Sequence, residues 1–104
     1  MSIARTLIEL EYQNSRQCAR DLEDCARIIR EVALSDVEGM MQELQAAWDG
    51  DAADMCIRKM DGAKNDIRRD GESVQRIADA IRRIADNVRR AEITAYNLTH
   101  KRKY

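Results

Sequence analysis

Trp48-Asp49-Gly50 lies near the midpoint of a 104-residue chain that contains no proline. A chain without proline can run as helix almost from end to end, so the place where it reverses decides its architecture. Glycine supplies the backbone freedom that a reversal needs. Tryptophan supplies a large apolar body to clamp the mouth of the resulting hairpin. Asp51-Ala52-Ala53-Asp54 follows, and small and acidic residues suit a helix N-terminus, with its free amides and positive dipole end. The pattern predicts an all-α fold, one antiparallel helical hairpin with its turn at 48–50. The first helix runs over about 3–47 and the second over about 51–98, in one unit of residues 1–98. A frayed basic tail, 99–104, follows where the periodicity is lost.

The second half carries the cleaner period. Positions 56, 60, 63, 67, 70, 74, 77, 81, 84, 88, 91, 95 and 98 alternate in steps of four and three, and all but Asp70 are apolar. A seven-residue repeat held this long specifies a seam against another helix. Its expected partner-binding residues are Ile67, Val74, Ile77, Ile81, Ile84 and Val88. Asp70-Gly71 interrupts the seam and marks either a bend or a polar contact across the hairpin. The first half is rougher. Ile3, Leu7 and Leu10 begin a stripe, Cys18, Leu22, Cys25, Ile29 and Val32 continue it, and Val37, Met41, Leu44 and Trp48 finish it. Phase slips fall at Asn14-Ser15 and at Ala33–Asp36. Ser35-Asp36-Val37-Glu38 resembles a capping box, so a new helix beginning at Ser35 competes with a stutter inside one long helix, which is the favoured reading. Two helices alone leave much of these stripes wet, which calls for a second hairpin and a four-helix bundle.

Charge points the same way. Charged residues make up 36% of the chain and aromatics 4%, the composition of a helical bundle or coiled coil. Residues 1–55 hold 5 basic and 12 acidic side chains, a net −7, while residues 56–104 hold 13 basic and 7 acidic, a net +6. Folding one half on the other neutralises both. The arginine doublets Arg68-Arg69, Arg82-Arg83 and Arg89-Arg90 therefore read as a solvated face paired with acidic groups. No aromatics alternate with them as single-strand nucleic-acid binding requires.

Little in the chain suits catalysis, and no cofactor is expected. His100 is the only histidine and has no cysteine or carboxylate at ligand spacing, so no metal site is expected. The four glycines are scattered singly, which excludes a phosphate loop. Cys18, Cys25 and Cys56 make no disulfide framework. The first two, seven residues apart on one helix, are separated by about 10 Å along its axis. All three are expected to be buried, reduced and apolar in character. No stretch is apolar enough to span a membrane, and the start lacks the layout of a signal peptide.

The central Trp48-x-Gly50-x-Ala52, followed by an apolar Met55 or Cys56 and set between two proline-free halves, resembles the WXG family of type VII secretion, the early-secreted-antigen-like proteins. The resemblance covers the chain in length and layout. It implies two hairpins paired into a four-helix bundle, export of the folded dimer by a membrane ATPase machine, and no catalysis. The partner so implied is a second copy, another helical hairpin, or the helical N-terminal domain of a secreted toxin, which this chain would present for export. The chain would be cytoplasmic before export and secreted without a signal peptide, or retained if it only targets a toxin. Export substrates of the family often carry Tyr-x-x-x-Asp/Glu after the second helix, on one partner of the dimer. Here Tyr96-Asn97-Leu98-Thr99-His100 keeps the tyrosine and has histidine in the acid's place, so Tyr96 and His100 are the candidates for the export tail. A cytoplasmic coiled-coil adaptor unrelated to secretion is the competing reading.

Overall fold

The computed structural model describes residues 2–101, and outside the break at 48–50 they are helical from Ile3 to Lys101. Helix α1 spans Ile3–Ile28, a π-helical segment spans Ile29–Ala33, α2 spans Leu34–Ala47 and α3 spans Asp51–Lys101. Ser2 caps the start of α1, its Oγ accepting the Arg5 amide at 3.2 Å. Asp51 and Asp54 lie in the first turn of α3 and His100 and Lys101 in its last, each matched to the nearer dipole end.

Between α1 and α2 the helical course does not stop. Ala33 and Leu34 keep right-handed helical dihedrals, and no side chain caps α2, so no new helix starts at Ser35. The π segment absorbs the second phase slip by adding a residue to one turn. Through it the less exposed positions advance by four twice in succession, from Ile29 to Ala33 to Val37. Then α2 ends. Trp48 is extended (φ −138°, ψ 137°) and its amide bonds the Leu44 carbonyl at 2.9 Å. Gly50 takes φ +99°, a conformation that residues with a Cβ avoid.

The chain divides into two compact units, residues 23–75 and residues 1–22 with 76–104. In each, two helical stretches run antiparallel. In the 23–75 unit Glu38 pairs with Lys64 at 3.1 Å, and Arg30 packs over Gly71. In the other, Tyr12 meets Asp86 and Glu9 meets Arg89.

Among the described residues the buried hydrophobic ones are all alanines: Ala19, Ala26, Ala53, Ala78 and Ala85. The contact within the chain therefore lies one residue off the seven-residue pattern read on α3. Ile67, Val74 and Ile81 are half-buried as seam residues, but the alternate places belong to Ile57, Lys64, Gly71, Ala78 and Ala85, one residue after the expected 56, 63, 70, 77 and 84. One residue turns a helix by about 100°. Small side chains at the contact let two backbones approach closely, and larger residues next to them are turned outward. Asp70 is accordingly exposed, and it is Gly71 that is buried. The cysteines show the same shift of one residue. Cys18, Cys25 and Cys56 are exposed, not buried, because Ala19, Ala26 and Ile57 beside them take the inward positions.

The second helix also outlasts its period. Thr99, His100 and Lys101 are helical, and the rest of the expected basic tail, Arg102–Tyr104, lies outside the described residues.

Candidate interaction surface

What the alanine contacts leave outside is a set of large apolar residues. In the terminal unit Ile3, Leu7, Leu10, Ile77, Ile84, Val88 and Leu98 are exposed, with Ile77 at 52% and Ile84 at 59%. In the central unit Ile28, Val32, Met40, Trp48 and Met55 are exposed. The expected seam is thus split: Ile67, Val74 and Ile81 are half-buried, while Ile77, Ile84 and Val88 are exposed to solvent. A groove of about 180 Å³ opens beside the latter, lined by Ile8, Tyr12, Ser15, Ile84, Ala85 and Val88.

Polar groups frame this surface. The Tyr12 hydroxyl donates to Asp86 Oδ1 at 2.8 Å and accepts from Arg16 Nη1 at 2.9 Å. Arg89 donates through Nε and Nη2 to Glu9 Oε1 at 3.0 and 2.8 Å, with its guanidinium 4.9 Å from the Tyr12 ring centre. The bond to Glu9 raises the Arg89 pKa above the ordinary guanidinium value, and the bond to Tyr12 does the same for Arg16. The arginine doublets are therefore divided. Arg82 and Arg89 are partly covered, Arg82 lying 3.5 Å from Asp79, whereas Arg83 and Arg90 point to solvent. Both members of Arg68-Arg69 are exposed and bond locally, to Asn65 and Asp66.

Of the turn motif, Trp48 is 48% exposed, and Gly50 and Ala52 are exposed. The alanine that packs inward there is Ala53. Sequence reasoning passed over it, although it lies four residues before Ile57 on the seam. At the other end of α3, Tyr96 is half-buried, and its ring stacks on that of His100 with centroids 3.8 Å apart. His100 Nδ1 lies 2.9 Å from the Tyr96 carbonyl. Ala4, Leu7 and Ile8 of α1 line a shallow depression with Tyr96 and His100. The start of α1 and the end of α3 thus form one surface. Among the described residues no group of His, Cys, Asp or Glu could hold a metal ion, and no helix is long and apolar enough to cross a membrane.

A family model described as "Proteins of 100 residues with WXG" matches residues 7–93, which take in most of α1, the break and most of α3. The chain belongs to the WXG100 family. It is a small helical protein associated with type VII secretion. Proteins of the WXG100 family typically pair with themselves or with similar helical proteins. No curated protein and no solved structure matches the chain.

Proposed function

We propose that the protein is a non-catalytic pairing subunit of a type VII secretion system, one half of a four-helix bundle that is carried as a folded pair. One observation carries this reading. Among the described residues the buried hydrophobic ones are all alanines, while Ile77, Ile84, Val88 and, on α1, Ile3, Leu7 and Leu10 stay in water. Burying an isoleucine or valine contributes about 1.5–3 kcal/mol, so the free energy of the fold is completed by covering these faces. The turn residues Trp48, Gly50 and Ala52 serve to reverse the chain and offer the exposed indole to the partner.

The arrangement at Tyr96 favours a role for the partner in export. Its ring is stacked on His100, and no acid stands one turn beyond it. The pair would then supply the acidic element to the secretion ATPase, either from a second hairpin or from the helical N-terminal domain of a toxin. The test is secretion of the tagged protein by cells with and without the ATPase, for the native chain and for the double variant Ile77→Glu, Ile84→Glu. Export of the native chain that needs the ATPase and is lost in the variant is expected. Normal export of a variant shown to be monomeric would overturn the reading.

A further inference from the structure

We infer that the turn end of the hairpin, residues 34–64, opens as a local unit while the helical stretches that lead into it stay folded. It is a conformational device built into the central unit, a loose end that releases Val37, Met41, Leu44, Ile57 and Met60 to solvent without unfolding of the whole chain. It belongs to the single chain, whatever partner covers it. The first observation is burial. None of the 14 residues of α2 is buried, and over 51–64 Ala53 is the one buried residue among the described residues. Val37, Met41, Leu44, Ile57 and Met60 are half-buried, and Met40, Trp48 and Met55 are exposed. A helix as short as α2 is marginal in water and lasts through the packing of its apolar face, which here is thin. The π segment Ile29–Ala33 sets α2 off from the regular hydrogen bonding of α1.

The second observation is helix propensity. Gly39 lies inside α2 and Gly62 inside α3, and neither has an atom within 4 Å of its Cβ position, so no close approach within the chain calls for a glycine there. Each weakens its helix relative to alanine, and both fall in the same segment. The third observation is where the ties between helices lie. Among the described residues, the side-chain bond between α2 and α3 runs from Lys64 Nζ to Glu38 Oε1 at 3.1 Å, with the Glu38 side chain 49% exposed. Beyond it, in the same unit, the packing changes. Ala26 is fully buried, the Arg30 stem covers Gly71, and Gln75 Nε2 donates to Glu23 Oε2 at 3.2 Å. Close packing thus begins where the segment stops. Local opening is drawn from regions with few buried apolar contacts and weak tertiary ties, and residues 34–64 have both properties.

Native-state hydrogen exchange of the full chain, read by mass spectrometry at dilutions where the protein is monomeric, tests this. Corrected for intrinsic rates, amides within 37–60 should exchange about tenfold or more faster than those within 19–29 and 74–88. Gly39→Ala with Gly62→Ala should slow exchange within 37–60 by roughly fifteenfold, about fourfold from each glycine. Ala78→Gly changes a fully buried position outside the segment. It should speed exchange around residue 78 by about fourfold or more and leave 37–60 unchanged, because the segment opens while that contact stays made. Helicity by circular dichroism close to that of the native chain ensures that each variant is folded. Equal protection along the native chain would overturn the local opening. So would an Ala78→Gly variant in which 37–60 speeds up by the same factor as the region around residue 78, since the hairpin would then open as one cooperative unit.

Discussion

Gly71 is where the close approach of two helices can be measured against a control in the same helix. An ideal Cβ built there would lie 2.8 Å from Arg30 Cγ, 3.4 Å from Ile29 Cγ2 and 3.5 Å from Arg30 Cδ. Gly62, also inside α3, has nothing within 4 Å of its Cβ position. Both glycines are helical, so replacement by alanine gains roughly 0.8–1.0 kcal/mol of helix propensity at either site. At Gly62 that gain stands alone. At Gly71 the opposing atom is Cγ, near the root of the arginine, so the stem must swing from its base or the helices must part. Overpacking of this kind costs about 1–3 kcal/mol. Gly62→Ala should therefore stabilise by nearly 1 kcal/mol and Gly71→Ala should destabilise by about 1 kcal/mol. Urea denaturation followed by far-ultraviolet circular dichroism reads the difference, at one fixed protein concentration because pairing shifts the midpoint. If Gly71→Ala stabilised as much as Gly62→Ala, the small-residue contact between Arg30 and Gly71 would not exist.

Other perturbations separate contacts within the chain from contacts between chains. Trp48→Ala should leave helix content nearly unchanged, because the side chain is already 48% exposed. It should weaken pairing by as much as 3–5 kcal/mol, on the order expected for a tryptophan fully buried at an interface; normal assembly with blocked export would instead make Trp48 a recognition element. Cys18, Cys25 and Cys56 are exposed and should all react rapidly with an aromatic disulfide reagent at dilutions where the protein is monomeric. A slow thiol under those conditions would contradict the outward orientation of that cysteine. Deleting residues 96–104 removes the stacked Tyr96–His100 pair and should reduce secretion of the protein and of its partner. Unchanged export of both would assign the end of α3 no role in it.

The two helical halves and the place of their break were legible because they depend on coarse signals, the missing prolines and Trp48-Asp49-Gly50. The face each helix presents was half legible, and the error is instructive. A search for apolar residues at steps of three and four finds Ile77 and Ile84 before Ala78 and Ala85, because the isoleucines are larger and more hydrophobic. Inside one chain the shorter side chains take the contact, since only they admit a close approach of backbones. Two seven-residue patterns therefore overlap on α3, sharing Ile67, Val74 and Ile81. One is small and turned inward through Gly71, Ala78 and Ala85, and the other is large and turned outward through Ile77 and Ile84. A helix serving a single partner needs one such stripe. The second stripe lies in solvent in the single chain, flanked by the exposed Arg83 and Arg90. The polar contacts of Tyr12 with Asp86 and of Glu9 with Arg89 left no trace in the sequence. They depend on the register of two segments more than seventy residues apart, which the periodicity of either segment alone does not fix.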